Sequence, residues 1–373
     1  MRRFLLIVLI IVAAVLVLIA VSFGLLVFYA KRKDERKTEA DVLQFLAAHP
    51  ELASMYVMEN DRVLIDYQSD VKRPLASVLK IILAIELAEQ AAEGRIDMNE
   101  AVPLDSLRRF YIPGTDGGAH PSWLDALDPA VTAGGTVSLM EAAKGMIHYS
   151  SNANTEYFME RLGLDNINAR IQKLALSRHD PIFPVSSAML MYGYMTKYEH
   201  MPHRQAVQAM KGLTDQEYAA KAQLIFDWIR QNPESIPSLH DRSTPIPVQR
   251  IWSSRLPGAT VKEYAVLLQN IQKGESLSPE AARIVREIME RKPKPESRYI
   301  TIGSKGGSTL SIMNQTLYCE DKQGNRIQLA LFIHEPQGLE IMWLDKKLDL
   351  FLQKYLTDDH FKQQVIQTLG GAG

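Results

Sequence analysis

Three short stretches of this 373-residue chain place reactive side chains at close spacing. The first is Ser77-Val78-Leu79-Lys80, which opens an apolar run of Ile81, Ile82, Leu83, Ile85 and Leu87. On a helix, residues three apart share a face, so the Lys80 amine lies beside the Ser77 hydroxyl. Apolar surroundings disfavour the charged amine and lower its pKa. A neutral amine can take the serine proton and activate a nucleophile that is weak alone. The N-terminus of the helix adds N–H groups and positive potential at Ser77. The same pair also fits a plain helix cap with a lysine snorkelling to the surface. Ser69-Asp70-Val71-Lys72 repeats the spacing in a polar stretch before Pro74, without an apolar helix behind it.

The second stretch is Tyr149-Ser150-Ser151-Asn152, at a junction between two helical patterns. Ser150 and Asn152 in a tight turn can face one cleft, the hydroxyl relaying a proton and the amide holding a carbonyl. Helix punctuation alone also accounts for them. The third stretch is Gly303-Ser304-Lys305-Gly306-Gly307-Ser308-Thr309, at the end of a β-like run. Glycines there let a ligand approach an edge backbone, and Lys305 offers a charge to a carboxylate. A bulge before a turn is the other reading.

Several elements must position these groups. Asp41 to Leu52 reads as a helix, followed by a hairpin of Met55–Met58 and Val63–Tyr67. A buried helix is predicted from about Ser77 to Ala92, stopped near Gly94. Val102 to Thr136 reads as a long structured loop. Helices follow at Ser138–Met146, with a capping box of Ser138 and Glu141, and at Asn154–Leu162. Residues from about Tyr192 to Arg255 are mostly helical in pattern, and two more helices cover Val261–Gln272 and Pro279–Arg291. Tyr299–Gly303, Gln315–Glu320 and Arg326–His334 are β-rich, and a helix over about Glu340 to Tyr355 closes the domain. Strands at both ends with helices between predict an α+β fold. Its antiparallel five-stranded sheet is flanked by helices, with an all-helical lobe inserted at about 77–255.

The chain has 42 Lys+Arg against 43 Asp+Glu, which excludes the basic excess of a nucleic-acid binder. Its 46% apolar and 23% charged residues argue against disorder. Cys319 is the lone cysteine, so neither an intramolecular disulfide nor a cysteine zinc cluster can form. Phe4 to Ala30 is a 27-residue run without a charge. As a helix it would be about 40 Å long, enough to cross a hydrocarbon core of about 30 Å. It is too long for a signal peptide, and Phe28 is unsuited to the position three before a cut after Ala30. The expected layout is a tail at 1–3, a transmembrane anchor at 4–30, a linker at 31–40, one domain at 41–358 and a C-terminal tail at 359–373. Arg2 and Arg3 precede the run, while Lys31, Arg32, Lys33, Arg36 and Lys37 follow it, which by charge alone puts the domain in the cytoplasm.

Taken together, Ser77-Val78-Leu79-Lys80, Tyr149-Ser150-Ser151-Asn152 and Lys305-Gly306-Gly307-Ser308 resemble the three motifs of penicillin-recognising serine enzymes. Within that superfamily the chain is most similar to the class A β-lactamase-like serine hydrolases, from about Asp41 to Leu356. The resemblance implies a β-lactamase/transpeptidase-like fold and a set of roles. Ser77 would be acylated, Lys80 would be its base or relay, and Ser150 would protonate the leaving group. Asn152 would orient the substrate carbonyl side chain and Lys305 would hold its carboxylate. The N–H groups of Ser77 and Ser308 would form the oxyanion hole, Gly307 would allow close approach, and Tyr111 would wall the cleft. No cofactor or metal is expected.

Three features depart from the pattern. Ser151 stands where aspartate is usual, and Gly306 where threonine or serine is usual; Ser308 or Thr309 can supply the missing hydroxyl. The stretch 192–255 looks like an insertion that caps the cleft or binds a partner. The region Ser177–Leu190, which corresponds to the omega loop, holds Arg178, His179, Asp180, Phe183, Pro184 and Ser187 but no glutamate. Efficient β-lactam turnover is therefore not expected unless His179 or Asp180 substitutes, and both also fit an ordinary turn. The expectation is a membrane-anchored serine acyl-hydrolase for a carboxylate-bearing amide, ester or β-lactam, directed at a small molecule or a cell-wall peptide. The alternative is a catalytically impaired binding module of the same fold. Such substrates lie outside the cytoplasm, which sets the family inference against the charge count. The oligomeric state is left open.

Overall fold

The structure is a computed structural model that describes residues 34–240, 244–335, 337–338 and 340–370. The predicted anchor at 4–30 lies outside the described residues. Among the described residues no helix is long and apolar enough to cross a membrane.

Helix α1 (Glu39–Ala48) leads into strands β1 (Ala53–Glu59) and β2 (Arg62–Tyr67). The helical part includes α2 (Lys80–Ala92), α3 (Asn152–Leu162), α4 (Asp215–Gln231), α5 (Ile246–Ser254), α6 (Val261–Lys273) and α7 (Pro279–Met289). Strands β3 (Glu290–Arg291), β4 (Tyr299–Ser308), β5 (Ile312–Asp321) and β6 (Arg326–His334) follow, and α8 (Ile341–Thr357) and α9 (Asp359–Leu369) close the chain.

The strands form one antiparallel sheet in the order β2-β1-β6-β5-β4-β3. It has six strands, not the five expected. The extra one is the two-residue β3, which pairs Glu290 with Gly303 and Arg291 with Ile302. The sequence there reads as the end of a helix, and only the free edge of β4 makes it a strand.

Both faces of the sheet are covered. Met55 and Val57 of β1, with Leu329, Leu331 and Ile333 of β6, face α1, α8 and α9. The alternate residues Tyr56, Met58, Ala330 and Phe332 face α6 and the helical lobe. That is why β1 reads as a nearly continuous apolar run. The segment from 359, expected as a tail, is instead a helix. Asp358 caps it, and Phe361, Val365 and Leu369 recur every four residues and are buried against the sheet's outer layer.

In the helical lobe, α2 is buried all round, as its composition predicts. Its acidic turn is paired internally: Glu86 accepts from Arg170 Nε at 2.8 Å and from Gln90 Nε2 at 2.8 Å. Among the described residues the stretch 192–255 is mostly helical, and its longest helix, α4, starts on a capping box of Thr214 and Glu217.

Candidate active site

Ser77 sits on a single 3-10 turn, Ala76–Leu79, and α2 starts at Lys80. In a 3-10 turn side chains three apart eclipse, which puts Ser77 and Lys80 on one side of the turn. The turn is entered through Ala76 at φ 47°, a left-handed conformation that costs energy outside glycine. Neighbouring contacts hold it. The Leu75 N–H donates to the Pro257 carbonyl at 2.9 Å. Asn314 Nδ2 on β5 donates to the carbonyls of Pro74 at 2.9 Å and Leu75 at 3.1 Å, while its Oδ1 accepts from the Ile333 amide at 3.1 Å. Just upstream, the buried Arg73 donates to Ser54 Oγ at 2.7 Å and to the carbonyls of Glu51 and Ala53. The segment before Ser77 is thus tied to strands β1 and β5 of the sheet.

Lys80 is 1% exposed. Its Nζ donates to the Ser150 carbonyl at 2.7 Å, Asn152 Oδ1 at 2.9 Å and Ser150 Oγ at 3.2 Å. Burial lowers its pKa well below the ordinary lysine value, and the charge of Lys305 lowers it further. Lys305, inside β4, donates to Ser150 Oγ at 3.0 Å and to the Gly306 carbonyl at 2.7 Å. Burial, and then the charge of Arg291, bring its pKa down to about 7. One hydroxyl therefore lies between two amines, both of which give up a proton more easily than a free lysine. Ser150 reaches that place because the chain takes a π turn at Gly145–Tyr149 and then a left-handed residue, Ser150 at φ 68°.

The third motif was expected at a strand end but lies within β4, paired with β5 as far as Ser308 and Met313. Its glycines mark a close approach rather than a turn. A Cβ on Gly307 would lie 2.6 Å from the Leu75 carbonyl oxygen and 2.8 Å from the Ser77 nitrogen. The room left by Gly306 is taken by the Gln315 side chain, 2.9 Å from where a Cβ would stand.

These groups surround a cavity of about 710 Å³. Of the residues predicted for the site, Ser77, Ser150, Asn152, Lys305, Gly307 and Ser308 line it, and Lys80 lies buried directly beneath. Tyr111 does not line it; its ring packs on His120 with centroids 4.9 Å apart. The same long loop instead presents Thr115, Asp116 and Gly117. Ser151 caps α3 by accepting from the Asn154 N–H at 3.2 Å and donates to Asn154 Oδ1 at 2.9 Å. Its oxygen also lies 2.9 Å from His120 Nδ1.

The omega-loop region sends Val185 and Ser186 to the cavity but no carboxylate. Asp180 is held by Lys72 at 2.5 Å and the Gly258 amide at 2.9 Å, and His179 Nε2 is 3.0 Å from the Tyr264 hydroxyl. Both serve the turn. The buried Glu156 of α3 pins this segment by accepting from the Ser186 amide at 2.8 Å and the Ser187 hydroxyl at 2.7 Å. The insertion adds a wall that no sequence motif announced: Trp252 of α5, whose Nε1 donates to the Val185 carbonyl at 2.8 Å, with Leu256 just after the insertion beside it. Asn314 was likewise missed, because a lone asparagine in a strand carries no spacing signal.

A family model described as the beta-lactamase enzyme family matches residues 37–348. No curated protein matches the chain in sequence. Among solved structures, the chain is similar to a β-lactamase from Burkholderia vietnamiensis at 12% identity and a TM-score of 0.52, covering 87% of this chain and 98% of that one. It is also similar to a representative class A β-lactamase from Bacteroides cellulosilyticus at 15% identity and a TM-score of 0.50, covering 90% of this chain and 100% of that one. At these identities the likeness concerns the fold.

Proposed function

The chain belongs to the beta-lactamase enzyme family, serine hydrolases of the β-lactamase and penicillin-binding superfamily, and from that premise we propose that Ser77 is its nucleophile. The observation that carries this reading is the Ser150 hydroxyl held between Lys80 and Lys305 at 3.2 and 3.0 Å, with Ser77 on the wall of the same cavity. Neutral Lys80 takes the Ser77 proton as the serine oxygen bonds to a substrate carbonyl carbon. The oxyanion lies between the N–H groups of Ser77 and Ser308. The bond from that carbon to the leaving nitrogen or oxygen then breaks. Ser150 gives the leaving atom a proton and is resupplied from Lys80, so the amine ends neutral. Asn152 orients the substrate, and Lys305 holds its carboxylate.

The product of this half-reaction is acyl-Ser77, which water then cleaves. Since the omega-loop region brings no carboxylate to the cavity, water there lacks the usual base and the acyl-enzyme is long-lived. That favours a cell-wall peptide or a simple ester over rapid β-lactam turnover. On the same reading, residues 4–30 anchor the enzyme and the domain works outside the cytoplasm, where such substrates are found.

Incubation with a fluorescent penicillin followed by mass spectrometry tests the nucleophile. Wild type should gain one covalent adduct at Ser77, and Ser77→Ala should gain none. Equal labelling of the two removes the assignment, and no labelling of either leaves the binding-module alternative.

A further inference from the structure

Two charged groups of the cavity lining are left unused by the acyl-transfer steps, and the partly buried one is Asp116. Asp116 lies in the loop before the helix Ala119–Ala126, on the same cavity as Ser77, Ser150 and Lys305. Its carboxylate accepts from the Gly118 amide at 3.2 Å and the His120 amide at 3.0 Å, which fix its direction and leave acceptor capacity free. Among the described residues no lysine or arginine lies within ion-pair distance of it. The other charged groups of the lining are Lys305 and Asp345, which is exposed on α8. The Asp116 charge is felt at Lys80, where it opposes the lowering by burial.

A fixed carboxylate in a cleft whose substrate itself brings a carboxylate repels that substrate, unless the substrate also carries a cation. We propose that Asp116 is a subsite for an ammonium or guanidinium group, so that the favoured acyl donors carry a cationic group on the acyl side chain together with the carboxylate held by Lys305. This rests on the acyl-Ser77 reading. It extends that reading to a substrate class: amides, esters or lactams of amino- or guanidino-substituted acids.

The test compares ampicillin, which has an amine on its acyl side chain, with N-acetyl-ampicillin, which lacks the charge. The rate of Ser77 acylation is followed by intact mass at pH 6, where an α-amine is protonated. Any change that Asp116→Asn makes to Lys80 affects both probes alike and cancels in their ratio. Wild type should favour ampicillin, and Asp116→Asn should cut the ratio about tenfold, the worth of one charge-assisted hydrogen bond. Asp116→Glu should retain part of the preference. Acylation by both probes with a ratio unchanged in Asp116→Asn overturns the subsite and leaves the nucleophile standing. Acylation of Ser77 by neither probe overturns both.

Discussion

Two lysines converge on the Ser150 hydroxyl, and burial favours the role of one and opposes that of the other. Lys80 must be neutral to accept a proton, and burial together with the neighbouring charge moves it that way. Lys305 must be charged to hold a carboxylate, yet its pKa is about 7. It is charged below that value and neutral above it, so carboxylate capture is present at lower pH and lost as pH rises through about 7. Acylation by a carboxylate-bearing substrate should therefore fall about fivefold between pH 7 and pH 8 on this limb. In Lys305→Arg the descending limb should move to much higher pH, because a guanidinium keeps its charge. Stopped-flow acylation rates across pH 5–9 measure both. The motif residues that meet at the cavity were legible in the sequence because their spacing is local. Asp116 and Asn314 were not, because their partners, the cavity and the Pro74–Leu75 carbonyls, are brought to them only by the fold.

At the scale of elements, the site is a contact between a turn and a strand. The turn Ala76–Leu79 packs on β4 at Gly307, and Asn314 of the neighbouring strand ties down the residues before it. Neither the 3-10 turn nor the course of β4 follows from propensity. Ser77 reads as the first residue of a helix, and Gly306-Gly307 reads as a strand end. Strand pairing through Ser308 overrides the glycines, and the cost of two glycines in a strand is offset by the approach they permit. Gly307→Ala should push the strand and the turn apart, since its methyl would overlap the Leu75 oxygen and the Ser77 nitrogen. A displacement near 1 Å lowers acylation by roughly 100-fold, with the fold retained. Penicillin acylation rates alongside an unchanged circular dichroism spectrum would establish this.

For the whole molecule, the layers decide what the site can see. The sheet carries Lys305, the helical lobe carries Ser150 and Asn152, the insertion contributes Trp252, and the cavity is the seam between them. The uncharged run at 4–30 sets a further expectation, since an anchored domain that meets cell-wall substrates must face outward. Protease added to intact cells should remove the domain, leaving a fragment retained in the membrane. Protection until the cells are lysed would put the domain on the side that the basic residues after the run favour.

Local signals were enough for the hairpin, the buried helix α2, the positions of the three motifs and the α+β order. These depend on periodicity, caps and spacings within a few residues. Tertiary structure alone decided the sixth strand, the packed helix α9, the left-handed entries at Ala76 and Ser150, and the Asp116 carboxylate in the cavity. Each of these is fixed by a surface supplied from a distant part of the chain. An edge takes a strand, an apolar layer takes a helix, and packing on both sides holds a strained residue that local preference would release.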